Sequence, residues 1–365
     1  MTQDTDAESV CSRVGGDPGH RKGAAFENCA QAARRRPYRL HVVGGRWVVR
    51  GAILFLTLGM WTVIARAPWE SGLQAAHRKE FPSHLTPQAP SHNHDGPPLI
   101  DWTPEEIQAR PELRRLRVAE SQNDLSAILR DTGKRVAAFF NDFPNTTCTE
   151  EVVSEICWAA GRECGVTFEG KFRYLLVPRV TGGARILTEY RTDAKGHPID
   201  YQLLKNMPIV TCGFATAAMR TFQVQNQKAC RFRYFGRQTL GRQETDVVGF
   251  AEIPEKYAAA MRFFLAGREG RLFVQGLAWI DARSHEILRV RSNLLAPRLD
   301  LGLEEMTTQI DLSAIHLRGT SAPLRLPTKV VVEVWLGHHH IRNIHAYSHF
   351  QLFRVESRIS PMPGE

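Results

Sequence analysis

The chain has 365 residues, 43% of them hydrophobic, which is enough to bury the core of one large or two modest domains and excludes a wholly disordered protein. The formal net charge is +9, yet the basic side chains form no stripe interleaved with aromatics and no common nucleic-acid motif, so nucleic acid is not the expected partner. Much of the excess lies in one run, Arg34-Arg35-Arg36 with Arg39, Arg46 and Arg50, directly before an apolar stretch, where membrane topology explains it.

Residues 1–46 mix Gly, Asp, Arg and Ser with few large apolar side chains and read as a disordered cytoplasmic tail. Gly51 to Ala65 carries no charge, and with Trp47, Val48 and Val49 it makes a single apolar helix over 47–67, bounded by Arg50 and Arg66. It is short for a full span of roughly 20 residues, but the flanking arginines can snorkel. It reads as an uncleaved inner-membrane anchor; a cleaved signal ending at Ala65-Arg66-Ala67, or a buried soluble helix, are the alternatives. The basic flank stays inside, so both membrane readings place everything after residue 67 in the periplasm.

Residues 68–100 form a Pro/His-rich linker, PSHLTPQAPSHNHDGPP at its centre. Residues 101–144 are expected to be helical. Thr103 can cap a helix with Pro104 and Glu106 in a capping box, with apolar spacing continuing through Leu113, Leu116 and Val118; a second helix runs from about Leu125 to Phe140. From 145 to 357 the apolar period becomes two. The strands expected are Thr149–Trp158, Val166–Pro178, Ala184–Arg191, Cys230–Phe235, Asp246–Ile253, Leu272–Asp281, Glu286–Ser292, Met306–Leu317, Lys329–Trp335 and Tyr347–Glu356, interrupted by a helix over Glu255–Leu265. Short turns between consecutive strands predict antiparallel pairing. Residues 358–365 are a tail.

An ordered set of elements in this half carries a family resemblance. Tyr234-Phe235-Gly236-Arg237 with Gly241-Arg242 precedes a strand ending at Pro254. Then come Gly276-Leu277-Ala278-Trp279-Ile280-Asp281, a turn, and Ile287, Arg289 and Arg291. Leu326-Pro327-Thr328-Lys329-Val330 follows, and the series closes on Tyr347-Ser348-His349-Phe350. This order resembles the periplasmic lipoprotein-carrier (outer-membrane lipoprotein-sorting) superfamily of bacterial envelope proteins over roughly 145–357. The resemblance implies an α+β fold: a curved antiparallel sheet, an incomplete β-barrel, packed on helices with an apolar groove between. The apolar membrane segment, the linker, the added helices and the differing stretch 195–229 depart from the family pattern, so lipoprotein transfer is not carried over. On that fold Phe172, Tyr174, Phe232, Tyr234, Phe250, Phe273 and Trp279 are available to line the groove, or else simply fill the core. Asp281, at a strand end, is expected to accept turn hydrogen bonds rather than act in catalysis.

The remaining chemistry is sparse. His338, His340 and His345 are weak candidates for a Zn²⁺ or Cu²⁺ site, against a polar hairpin turn after Gly337. A hairpin around Ala160-Gly161 places Cys157 opposite Cys164, where a disulfide can close; Cys212 and Cys230 are a second candidate pair, and buried free thiols are the alternative for each. There is no GxSxG, HExxH or phosphate-cradling Gly-rich loop. The expectation is a membrane-anchored extracytoplasmic binding module for a lipid or other apolar ligand, not an enzyme and without a cofactor. An envelope protein–protein interaction or sensing domain is the alternative, with a metal-dependent hydrolase behind both.

Overall fold

The computed structural model describes residues 98–158, 163–181, 184–199, 213–258, 260–265, 268–337 and 339–353. The apolar segment 47–67 lies outside them, and no helix among the described residues is long and apolar enough to cross a membrane.

The capping box forms as the sequence implies. Thr103 Oγ1 accepts from the Glu106 N–H at 3.2 Å, and the Glu106 carboxylate accepts from the Thr103 N–H at 2.7 Å, starting helix α1 (Pro104–Ala109). The helix does not continue to Val118. Arg110 precedes Pro111 and is driven to an extended backbone (φ −77°, ψ 126°), which ends it. A 3₁₀ turn, Pro111–Leu113, follows, and Arg117–Val118 becomes strand β1. Helix α2 (Leu125–Asp142) is the long one, burying Ile128, Val136 and Phe140 along one side.

Ten further strands join β1 in one sheet. They are β2 (Thr146–Trp158), β3 (Glu163–Thr181), β4 (Ala184–Thr192), β5 (Cys230–Leu240), β6 (Gln243–Glu252), β9 (Val274–Asp281), β10 (Ile287–Leu294), β11 (Leu303–Ile315), β12 (Leu324–Leu336) and β13 (His339–Leu352). The spatial order is β1-β5-β6-β9-β10-β11-β12-β13-β2-β3-β4, and every pairing is antiparallel. The pairing of β13, the last strand, with β2 closes the long run of strands back on itself inside the sheet. Helix α2 touches β4 at one edge and β5 beside the other, so the sheet curls around it as an open half-barrel.

The expected helix over Glu255–Leu265 is not formed. Pro254 opens a turn in which Tyr257 N–H returns to the Ile253 carbonyl, and Met261–Leu265 is strand β7, paired with β8 (Arg268–Leu272) as a separate hairpin. The helical spacing of Tyr257 and Met261 is instead satisfied by a turn that buries Tyr257 and a ladder that sets Met261 opposite Leu272.

The inner face carries the main core. Helix α3 (Phe214–Arg220) buries Phe214, Ala215, Ala218 and Met219 there and contacts β10 and β12, while the short α4 (Val224–Gln227) packs on α2. The outer face carries a second core: Leu99, Ile100, Ile107, Leu113 and Leu116 from the strap 98–118 cover Phe235, Val247, Leu277 and Trp279. Helix α1 therefore lies on the convex side, not within the concavity. Gly236 shows why the strap can close. Its φ of +131° suits only glycine, and a Cβ there would collide with the Arg117 carbonyl of β1.

Cys157 and Cys164 stand directly opposite in the β2–β3 register and are joined by a disulfide, with Cα atoms 4.0 Å apart. The closed loop is small, so the Cys157→Ser/Cys164→Ser variant should lose about 2–3 kcal/mol of stability, read as an earlier denaturant midpoint at unchanged m. An unshifted midpoint would show that the bridge does not constrain the unfolded chain. Cys230 is a free buried thiol rather than half of a second bridge, and Cys212 lies outside the described residues.

Candidate functional site

Period-two alternation turns a connected set of polar residues into the half-barrel. On β2, Glu150 shares the inner face with Cys148; Tyr174 on β3, Glu189 and Arg191 on β4, and His345 and Tyr347 on β13 face the same side. Arg191 grips Glu150 through Nε and, at 2.7 Å, through Nη2. Tyr347 Oη donates to Glu150 Oε1 at 2.8 Å, and His345 Nδ1 lies 3.0 Å from the same oxygen. Glu150 and His345 are wholly buried. Burial alone would raise the Glu150 pKa, but the Arg191 and His345 hydrogen bonds and charges outweigh it and hold the carboxyl at about 2. Burial lowers the His345 pKa despite the carboxylate beside it, and raises that of Tyr347.

Two other inner carboxyls bracket helix α3. Glu189 Oε1 accepts from the N–H and hydroxyl of Thr216 in its first turn, both at 3.3 Å, while Oε2 is buried with no hydrogen-bond partner among the described residues. At the far end Glu252 Oε2 accepts the Val274 N–H at 3.0 Å, and Oε1 again has none among the described residues. Burial, only partly offset by those donors, pushes each of these carboxyls up to about 7. Cys148 and Cys230 are free, buried thiols. Burial and nearby carboxylates drive both thiols upward, Cys230 to about 12.

The seven residues expected to line one groove divide. Tyr174, Tyr234 and Phe250 are buried in the inner core, with Phe232 packed against it. Phe172 is on the inner face but belongs to a small separate cluster with Val152, Phe168 and Ile199. Trp279 is on the outer face: one step along β9 reverses the side, so Ile280 points inward while Trp279 packs under the strap, its Nε1–H donating to Gln238 at 2.8 Å. Phe273 is half-buried beside β9, beneath the Arg271 guanidinium. Asp281 accepts from the Arg283 and Ser284 N–H groups, the turn role expected of it.

The histidines do not converge. His340 and His345 are five residues apart in uninterrupted ladder and so face opposite sides; His338 lies outside the described residues. His340 stacks on Trp335 at 4.3 Å on the outer face, and burial lowers its pKa to about 4. Glu155, Cys157 and Cys164 sit within metal-ligand range of one another, but both sulfurs are spent in the disulfide. The polar network was not anticipated from the sequence. Glu150 and Arg191 are 41 residues apart, and the only signal was a charged residue at an inward position of each strand.

No family model and no curated protein matches the chain. Solved structures similar to it include a LolA superfamily protein from Nitrosomonas europaea, 9% identical over 62% of this chain and 94% of that one, TM-score 0.30. A DUF1329 family protein from Desulfovibrio piger is 11% identical over 62% and 92%, TM-score 0.32. The Mycobacterium tuberculosis lipoprotein LppX is 7% identical over 63% and 99%, TM-score 0.22. The resemblance stated from the residues is to the first of these groups.

Proposed function

We propose that the chain is an extracytoplasmic binding module that takes an apolar ligand, a lipid or acyl chain, on the inner face of its half-barrel, with the apolar segment 47–67 holding it at the inner membrane. The observation that carries this reading is what fills the concavity. Helices α2 and α3 lie there, α3 contributing Phe214, Ala215, Ala218 and Met219 against an apolar surface, and the β7–β8 hairpin adds Met261 and Leu272. A surface of that kind suits hydrocarbon, and the buried carboxyls and thiols beside it offer no solvent-facing nucleophile, which favours binding over catalysis. A metal-dependent hydrolase draws no support from His340 and His345 on opposite faces.

The test is native mass spectrometry of the full chain, purified from membranes, alongside solvent extraction of what co-purifies. A stoichiometric lipid, displaced by added long-chain fatty acid, is the expected result. Protein that is bare after gentle extraction and takes up no fatty acid would sink the reading. The alternative, docking to another envelope protein, rests on exposed Val180 and Tyr190 where β3 meets the edge strand β4.

A further inference from the structure

The outer face has a site of its own. The strap 98–118 roofs β5, β6 and β9, and its margin overhangs the strands beyond, leaving a cleft of about 130 Å³. Trp102 and Arg110 line it from the strap; Arg291, Asn293, Glu333 and Trp335 line it from the sheet. Both tryptophans are braced, Trp102 by the Arg110 guanidinium at 4.1 Å and Trp335 by the parallel ring of His340.

Two charged groups in this cleft, Arg291 and Glu333, make no hydrogen bond to a described residue. Neighbouring arginines on the same face are paired, Arg289 with Asp311 and Arg342 with Glu155. Arg291, in the cleft, has no hydrogen bond to a described residue, and Glu333 has the His340 Nε2 at 4.0 Å, beyond hydrogen-bond range, with the charges of Arg342 and Arg291 nearby. The Asn293 carbonyl accepts from Thr307 Oγ1 at 3.3 Å, which leaves its amide N–H groups at the cleft wall without a hydrogen-bond partner among the described residues. An acceptor, a guanidinium fork and an amide therefore line one cleft together with two indoles, with no hydrogen bond among them.

We propose that this cleft binds one ring of a neutral saccharide. Adjacent hydroxyls both donate and accept, so one ring edge can meet Glu333, Arg291 and Asn293 together, while its C–H face lies on indole. Charge near the cleft is close to balanced, Glu112, Glu305 and Glu333 against Arg110 and Arg291, which suits an uncharged ligand. Its small volume and polar lining suit one compact polar ring better than a long acyl chain. This site is independent of the inner-face reading.

The test uses the full chain in an amine-oxide detergent, because glycoside detergents carry a competing sugar. Methyl glucoside and N-acetylglucosamine are titrated against tryptophan fluorescence, with saturation-transfer NMR on each sugar, and acetate and phosphate as anionic probes. The expected result is saturation by at least one sugar, with affinity weakened roughly tenfold or more in Arg291→Met and in Glu333→Gln but unchanged in Arg289→Met. No saturation by either sugar, saturation by an anion in their place, or full affinity in both cleft variants would overturn the proposal. Should those variants not fold, Thr307→Val, which removes a cleft hydroxyl and releases Asn293, must weaken binding, and sugar must shield tryptophan from acrylamide in the unaltered chain; failure of either overturns it equally.

Discussion

Replacing Glu150 by alanine should destabilise the domain by about 3–5 kcal/mol, the largest effect of any single polar substitution here. The carboxylate is wholly buried and satisfies three groups from two other strands: Arg191 on β4, and His345 and Tyr347 on β13. Taking it away leaves the Arg191 charge in a low-dielectric interior with its main counter-charge gone. For a domain of this size the loss corresponds to a fall in Tm on the order of 10 °C. The pair itself need not be strongly favourable, because two desolvated charges cost much of what they gain. The double variant Glu150→Leu/Arg191→Met should therefore lose clearly less than the two single variants summed. Denaturant curves on Glu150→Ala and on Glu150→Leu, Arg191→Met and their double variant decide it: strict additivity in that cycle, or a Glu150→Ala loss below about 1 kcal/mol, would mean that the network does not hold these strands together.

Glu252 should make the protein less stable as pH rises. Its folded-state pKa is raised to about 7, against 4.5 for the free side chain, so the folded protein binds the proton more tightly than the unfolded one. Stability from this group is complete below about pH 4.5 and declines as pH climbs through 7, by a total on the order of 3 kcal/mol. Glu189, also raised to about 7, slopes the same way. Glu150 slopes oppositely: held at about 2, it contributes stability above pH 4.5 that is lost as pH falls toward 2. His340, lowered to about 4 from 6.5, also loses stability on acidification, between those two values. The whole-protein profile mixes these terms, so the informative quantity is a difference. Glu252→Gln should match the parent near pH 4.5 and exceed it by about 2–3 kcal/mol at pH 8, followed by urea unfolding at each pH. A difference that is flat with pH would show that Glu252 ionises normally in the fold.

Much of the architecture was legible in the sequence because β-strand information is local. Alternation in β2 and β3, with a short turn between, was enough to put Cys157 opposite Cys164 and to make the sheet antiparallel. The Thr103–Glu106 box and the long apolar stripe of α2 are local in the same sense. Local signals also misled. Apolar spacing at Leu113, Leu116 and Val118 is the same whether the segment is helix or strap, and only the backbone clash at Pro111 with the covering of Trp279 decided for the strap.

The amino-acid order by itself determined which residues alternate along most strands, where α1 begins, where the long helix α2 runs, and that Cys157 can meet Cys164. The tertiary structure alone decided which side of the curled sheet is inside. That choice separates Trp279 from Phe250, sends His340 and His345 to opposite faces, and brings Glu150 to Arg191, His345 and Tyr347 across as many as 197 residues. The physical reason is that a strand's period of two assigns residues to two faces without saying which one is buried, and on this sheet helices α2 and α3 bury one face while the strap buries part of the other.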